Sequence, residues 1–185
     1  MILAGLISAD ALGQIAPSDI VINGDEIKIL YERDKTSGYR ILDAVAIIDA
    51  EPRDILSVII DYEHFSEFMP RVKSTEVFHQ TTDSALYLAN VVTPWPLDDI
   101  WYKLAVSIDT LENTTKWRMI SGSILDTRGS WTLTKEQNGT RVVYHVEALL
   151  DSSFPEFAIK IAPKKTVNDI IKAVRNRTHS INTSR

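Results

Sequence analysis

Apolar and polar residues alternate along most of this chain, and the period of the alternation changes twice. Ile20, Ile22, Ile27, Ile29 and Tyr31 alternate with polar neighbours from Asp19 onward, and Ile41, Ala44, Ala46 and Ile48 resume after Lys35-Thr36-Ser37-Gly38. A period of two predicts half-buried strands, here two arms of a long hairpin joined by turn residues. The period then lengthens. Asp49-Ala50-Glu51-Pro52 has the composition of a helix start, with Asp49 or Ala50 near the cap and Pro52 near the first turn. Ile55, Val58, Ile59 and Tyr62 follow at helical spacing, and a second short helix carrying Phe65 and Phe68 ends at Pro70.

Beyond Pro70 the period of two returns. Strands are predicted at Val72 to Gln80, Ala85 to Val92, Trp101 to Leu111, Thr115 to Ser121, Ser130 to Glu136 and Thr140 to Leu150. Asn113-Thr114, Ser121-Gly122 and Asn138-Gly139 are the turn signals between them, and Asn-Gly between alternating runs is the strongest. The last change of period follows Pro155. Phe157 and Ile161, then Val167, Ile170, Ile171 and Val174 mark an amphipathic helix, kinked or restarted at Pro163. A hairpin, two short helices, about six antiparallel strands and one long helix predict an α+β domain. A long sheet crossed by a single long helix favours a space between them, suited to a mostly apolar pocket.

The first residues belong to a different pattern. Met1 to Gln14 is apolar and small, with Ile2, Leu3, Leu6 and Ile7 on one side of a short amphipathic helix. The segment is too short to span a bilayer, has no basic start and is interrupted by Asp10. The other reading is the remnant of a targeting segment, cleaved near Leu12-Gly13-Gln14. The expected organisation is therefore an N-terminal helix or remnant over 1–18, one domain over 19–180 and a flexible tail over 181–185.

Composition narrows the chemistry. The 185 residues contain no Cys, which excludes disulfides, Cys-ligated zinc and thiol nucleophiles, and 44% hydrophobic content is that of an ordinary soluble globular chain. Absence of Cys fits cytoplasm and periplasm equally. The net charge of −5 is unevenly distributed. From Lys160 to the end there are seven basic residues against one acid, Asp169, whereas the preceding 159 residues hold 13 basic and 24 acidic ones. An acidic body argues against a nucleic-acid partner. The basic end has two readings: a helix whose cations offset the macrodipole and the acidic body, or a local contact with an anionic membrane. For the second reading the candidates are Lys164, Lys165, Lys172 and Arg175.

Catalytic signatures are sparse. His64, His79, His145 and His179 are scattered; His145 and Glu147 share one strand face, and His64 with Glu67 one helical turn, but neither pair makes a metal site. There is no phosphate-binding Gly-rich loop and no Gly-x-Ser-x-Gly elbow. No catalytic residue, metal or cofactor is assigned. The aromatic residues say more, because Trp95, Trp101, Trp117, Trp131, Tyr87, Tyr102 and Tyr144 all fall on predicted strands or their ends. They either fill a solid core or line an apolar cavity with directional hydroxyl and indole groups. Tyr102, Leu104, Val106 and Ile108 share the inward face of their strand, which turns Trp101 and Lys103 outward. If Trp117 and Met119 face inward, Arg118 is a solvated charge; in the opposite register Arg118 is a candidate for orienting a ligand carbonyl or phosphate. Arg128 and Arg141 pose the same question.

Three stretches resemble a known superfamily. Ile47-Ile48-Asp49-Ala50-Glu51-Pro52 leading to Asp61-Tyr62-Glu63-His64-Phe65-Ser66-Glu67-Phe68-Met69-Pro70-Arg71-Val72 is similar to its first strand and helices. Thr93-Pro94-Trp95-Pro96-Leu97-Asp98-Asp99 is similar to a Trp-Pro turn common in bacterial members. Gly139-Thr140-Arg141-Val142-Val143-Tyr144, with Asp151 and Phe154-Pro155, is similar to the last strand and the entry to the final helix. The superfamily is that of START-like lipid-transfer domains, coenzyme Q-binding proteins and polyketide cyclases (SRPBCC), which includes the birch pollen allergen. Two positions depart from it: Ile100-Trp101 stands where the family carries Arg-Asp, and Ser152-Ser153 where it carries Gly-Gly.

The resemblance implies a helix-grip fold, a curved antiparallel sheet wrapped around the long C-terminal helix. It also favours the cavity reading of the aromatic set. The expected ligand-contacting residues are Tyr87, Trp95, Tyr102, Trp117, Arg118, Trp131, Tyr144, Phe157 and Ile161. The expected function is binding or transport of a hydrophobic small molecule, a lipid, a quinone or similar; the alternative is a cyclase or aromatase acting in the same cavity.

Overall fold

The computed structural model describes residues 17–93, 97–151, 154 and 162–183. Eight strands form one sheet: β1 (Ile27–Arg33), β2 (Arg40–Ile48), β3 (Val72–Gln80), β4 (Ser84–Val91), β5 (Ile100–Asp109), β6 (Thr114–Gly122), β7 (Asp126–Glu136) and β8 (Gly139–Leu149). Their order across the sheet is β1-β2-β8-β7-β6-β5-β4-β3, and every pairing is antiparallel. The chain reaches the far edge between β2 and β3 through α1 (Pro52–Ile59), a 3-10 turn (Tyr62–His64) and α2 (Phe65–Phe68). The final helix, α3 (Ala162–Thr183), packs against α1, α2, β1 and β2. This is the helix-grip arrangement expected from the sequence.

Local chemistry accounts for the elements. α1 starts with Pro52 at its first position, where the missing N–H forfeits no helical bond, and its cap is Glu51 rather than Asp49 or Ala50. Ile55, Leu56, Val58 and Ile59 are buried on one face. α3 buries Val167, Ile171, Val174 and Thr178 at three- and four-residue intervals, and Thr178 satisfies its hydroxyl on the carbonyl of Val174 at 2.8 Å. At the β7–β8 hairpin Gly139 has φ 128°, and a Cβ there would lie 2.4 Å from the carbonyl oxygen of Ile48. Only glycine accommodates both. Register shifts between Val72 and Ser74, between Val77 and His79, and between Lys103 and Leu104 are bulges of the kind that curve a sheet.

Three boundaries differ from the sequence reading. Ile20 and Ile22 precede β1 instead of belonging to it, because Asn23 and Gly24 turn the chain and Glu26 N–H donates to the Asn23 carbonyl at 3.2 Å. β7 begins four residues earlier than expected, at Asp126, since Asp126 to Gly129 pair with Leu149 to Val146 of β8. The described part of α3 begins at Ala162, with Pro163 in its first turn, where proline is tolerated; Phe157 and Ile161 lie outside the described residues. The helix runs on to Thr183, into the stretch expected as tail. Of the expected N-terminal helix or remnant, residues 1–16 lie outside the described residues, and Pro17–Asp19 is a single 3-10 turn.

Candidate functional site: an aromatic cavity under the final helix

The concave face is built by strict alternation. Tyr87 and Ala89 on β4, Tyr102, Leu104 and Val106 on β5, Thr115 and Trp117 on β6, Thr127 and Trp131 on β7, and Tyr144, Val146 and Ala148 on β8 all point to the same side. α3 leans on the β1–β2 end, and among the described residues it meets this wall through Thr166, Val167 and Ile170. Ala89, Thr115, Thr127 and Ala148 are too short to reach across. A cavity of about 330 Å3 remains between sheet and helix, within the usual size of small-molecule sites.

Two aromatic groups shape it. Tyr144 stacks on Trp117 with centroids 5.6 Å apart and leans on Trp131 at 4.3 Å. On the opposite side Tyr62 stacks on Tyr87 at 4.4 Å, with Phe65 edge-on to both. Burial raises the phenol of Tyr102 to about 12 and pushes those of Tyr62, Tyr87 and Tyr144 up as well, so all four are neutral hydroxyls at physiological pH. None of the four hydroxyls hydrogen-bonds to another described residue. Arg71 is the sole charged residue among the described residues of the wall.

Of the expected contact residues, Tyr87, Tyr102, Trp117, Trp131 and Tyr144 come together here. Trp95, Phe157 and Ile161 lie outside the described residues. Arg118 does not join them: it sits opposite Ala105 and Arg128 on the outward face, exposed, because Trp117 takes the inward register. Tyr62, Phe65, Met69 and Arg71 are wall residues that alternation could not find, since they lie on α2 and its flanks. Their signals were the helical spacing that carries Tyr62, the short helix that carries Phe65, and the stretch from Asp61 to Val72 that carries the resemblance.

The remaining polar candidates form a network on the outer face. His145 faces Asp43 through Nδ1 at 2.8 Å and Glu147 through Nε2 at 3.2 Å, and Arg128 donates to Glu147 at 2.6 Å. The Asp43 hydrogen bond raises the His145 pKa above its ordinary value; burial opposes it and Glu147 adds to it. Burial pushes the Glu147 carboxyl up, but the hydrogen bonds from Arg128 and His145 outweigh it and hold the pKa below its usual range. Both ring nitrogens of His145 are thus taken by carboxylates. Among the described residues no group of three or more His, Asp or Glu is placed to hold a metal ion. Arg141 pairs with Glu136 and donates to the Ile20 carbonyl at 3.0 Å, again outside the cavity.

The basic face of α3 divides. Lys164 and Lys172 are exposed, and Lys165 pairs with Asp169 at 2.8 Å. Arg175 differs from the expected surface contact. Its side chain is 11% exposed and donates to the carbonyls of Asp25 at 3.1 Å and Ile47 at 3.2 Å, tying the helix to the sheet. No helix among the described residues is long and apolar enough to cross a membrane.

Comparison with known proteins agrees with this geometry. A STAR-related lipid transfer protein from Xanthomonas axonopodis superposes with TM-score 0.73 at 19% identity, over 85% of this chain and 96% of that one. A START superfamily protein from Mycobacterium smegmatis gives 0.63 at 14% identity, over 76% and 98%. The Zhui aromatase/cyclase from Streptomyces sp. R1128 gives 0.56 at 13% identity, over 78% and 88%. At these identities the likeness is one of fold. No curated protein sequence matches significantly. Residues 48–175, more than half of the chain, match the family described as polyketide cyclase / dehydrase and lipid transport, and the chain belongs to that family.

Proposed function

We propose that this protein binds and carries a hydrophobic small molecule in the cavity between the sheet and α3. The observation that carries this reading is the wall itself. It is aromatic and aliphatic, its tyrosines are held neutral by burial, and no His, Asp or Glu is among its described residues. Binding by such a wall comes mainly from desolvation of apolar surface, about 25 cal/mol per Å2, less the cost of ordering the ligand. The family also includes cyclases, which need a positioned group to move protons. His145, Glu147 and Arg118, the groups best suited to that chemistry, stand on the outer face, which supports carriage over catalysis. The exposed Lys164 and Lys172 would bring the helix toward an anionic surface. Native mass spectrometry after mild extraction tests the proposal: a co-purifying lipophile, displaced by added alkyl or aromatic ligands, is expected. A ligand-free protein with no thermal shift across a lipid and quinone panel overturns it.

A further inference from the structure

We propose that the ligand is an amphiphile with an anionic head, a carboxylate or phosphate, held at the cavity lip by Arg71 while its tail fills the aromatic cavity. The inference rests on the cavity reading and adds the chemical class of the ligand.

The lip lies where the turn after α2 approaches α3. Pro70 and Arg71 belong to the cavity wall, and Pro70 also borders a second, more open depression outside it. That groove is lined by Phe68, Pro70, Asp169, Lys172, Arg177 and Ser180, among others, so Pro70 borders both spaces. The same helix serves both sides. Thr166, Val167 and Ile170 face the cavity, and Asp169, Lys172 and Arg177 face the groove.

The charges of this region are not all engaged. Asp169 is paired with Lys165 at 2.8 Å, and Arg177 with Glu67 at 3.3 Å while lying over the Phe68 ring. Arg177 Nε is buried without an acceptor. Lys172 acts on the Asp169 carboxylate, whose pKa it helps Lys165 to lower. The Arg71 side chain makes no hydrogen bond or ion pair among the described residues, so one cation without a described partner stands in a cavity wall that has no other charge among its described residues. Arg71 also has φ 65°, a left-handed conformation that favours Gly or Asn. It is held there by a hydrogen bond from Val92 N–H to its carbonyl at 2.8 Å. That bond links Arg71 to the residue after β4. A half-buried guanidinium at an apolar mouth gains most from a bidentate oxyanion such as carboxylate or phosphate.

Isothermal titration of the full chain with dodecanoate, dodecyl phosphate, dodecan-1-ol and inorganic phosphate tests this. We expect both anionic amphiphiles to bind at least tenfold more tightly than the alcohol. Arg71→Gln is expected to lose roughly tenfold for the anions and nothing for the alcohol. Equal affinity for acid and alcohol, or equal losses for both in Arg71→Gln, overturns the anionic head and leaves the carrier reading standing. Displacement of dodecanoate by millimolar inorganic phosphate overturns the amphiphile in favour of a free anion. Binding of none of the alkyl ligands overturns the carrier reading with it. Should Arg71→Gln fail to fold, the salt dependence of the wild-type protein decides. Dodecanoate affinity is expected to fall between 50 and 500 mM salt while dodecanol affinity does not; parallel behaviour overturns the proposal.

Discussion

The indole of Trp117 lies over Gly129, its partner across β6 and β7, in the space that a side chain at position 129 would fill. A Cβ at position 129 would lie 2.3 Å from Cζ2 of Trp117 and 2.2 Å from the carbonyl oxygen of His145. The missing side chain on β7 is what lets the Trp117 ring lie flat against the sheet and stack on Tyr144.

Gly129→Ala therefore forces either the ring or the backbone to move. We expect a loss of about 2 kcal/mol in urea denaturation, in the range of overpacked cores. We also expect weaker ligand uptake, because the displaced ring has only the cavity to enter. Unchanged stability and uptake would remove Gly129 from the account.

Filling the cavity from a less constrained position separates binding from folding. Ala148 lines the cavity from β8 and is not fully buried. Ala148→Phe is expected to reduce uptake of hydrophobic ligands roughly tenfold, about 1.4 kcal/mol, with the melting temperature shifted by only a few degrees. Fluorescence displacement of a bound apolar dye measures the first, and thermal denaturation the second.

His145 gives stability a pH dependence of defined sign. Its folded pKa is raised by Asp43, against burial and with help from Glu147. The contribution is fully present below the unfolded value of about 6.5 and is lost as pH rises through the raised folded value. The stability difference between wild type and His145→Gln should be largest below about pH 6 and shrink toward pH 8. Subtracting the variant removes the like-signed contribution of His64, whose pKa is raised by Asp61.

On α3, neighbouring cations differ in role. Arg175→Gln removes two hydrogen bonds from a largely buried guanidinium and is expected to cost about 2 kcal/mol. Lys165→Gln loses only an exposed pair with Asp169 and should stay within about 0.5 kcal/mol. Neutralising Lys164 and Lys172 together should leave stability unchanged and weaken sedimentation with anionic vesicles. Equal sedimentation of the double variant would confine these lysines to solvation.

Much of the cavity was legible in advance because a strand's side chains alternate whatever surrounds them. Tyr102, Leu104, Val106 and Ile108 had to share a face, and placing Trp117 inward was bound to place Arg118 outward. Which of the two faced inward was not legible, since both alternations contain apolar residues: Trp117 and Met119 in one, Ile120 in the other. The pairing of Trp117 with Gly129 decides it, a contact between strands. Tyr62 and Phe65 were legible as apolar residues of short helices but not as cavity wall, and Arg71 not at all, because the period of a short helix does not say where it docks on a sheet. Arg175 escaped because a cation on a helix looks the same whether its neighbours are water or the carbonyls of Asp25 and Ile47.

The order of elements, the hairpin at Asn138-Gly139, the helix starting at Pro52 and the face shared by each strand's residues were all determined by the chain itself, through short-range sterics and the burial of apolar side chains. The tertiary structure alone decided that Arg118, His145 and Glu147 stand outside the cavity, that Arg175 is a tie rather than a surface charge, and that Arg71 stands in the cavity wall. Those outcomes depend on which residues of distant segments arrive side by side, and that follows from how the sheet curves and where α3 comes to rest.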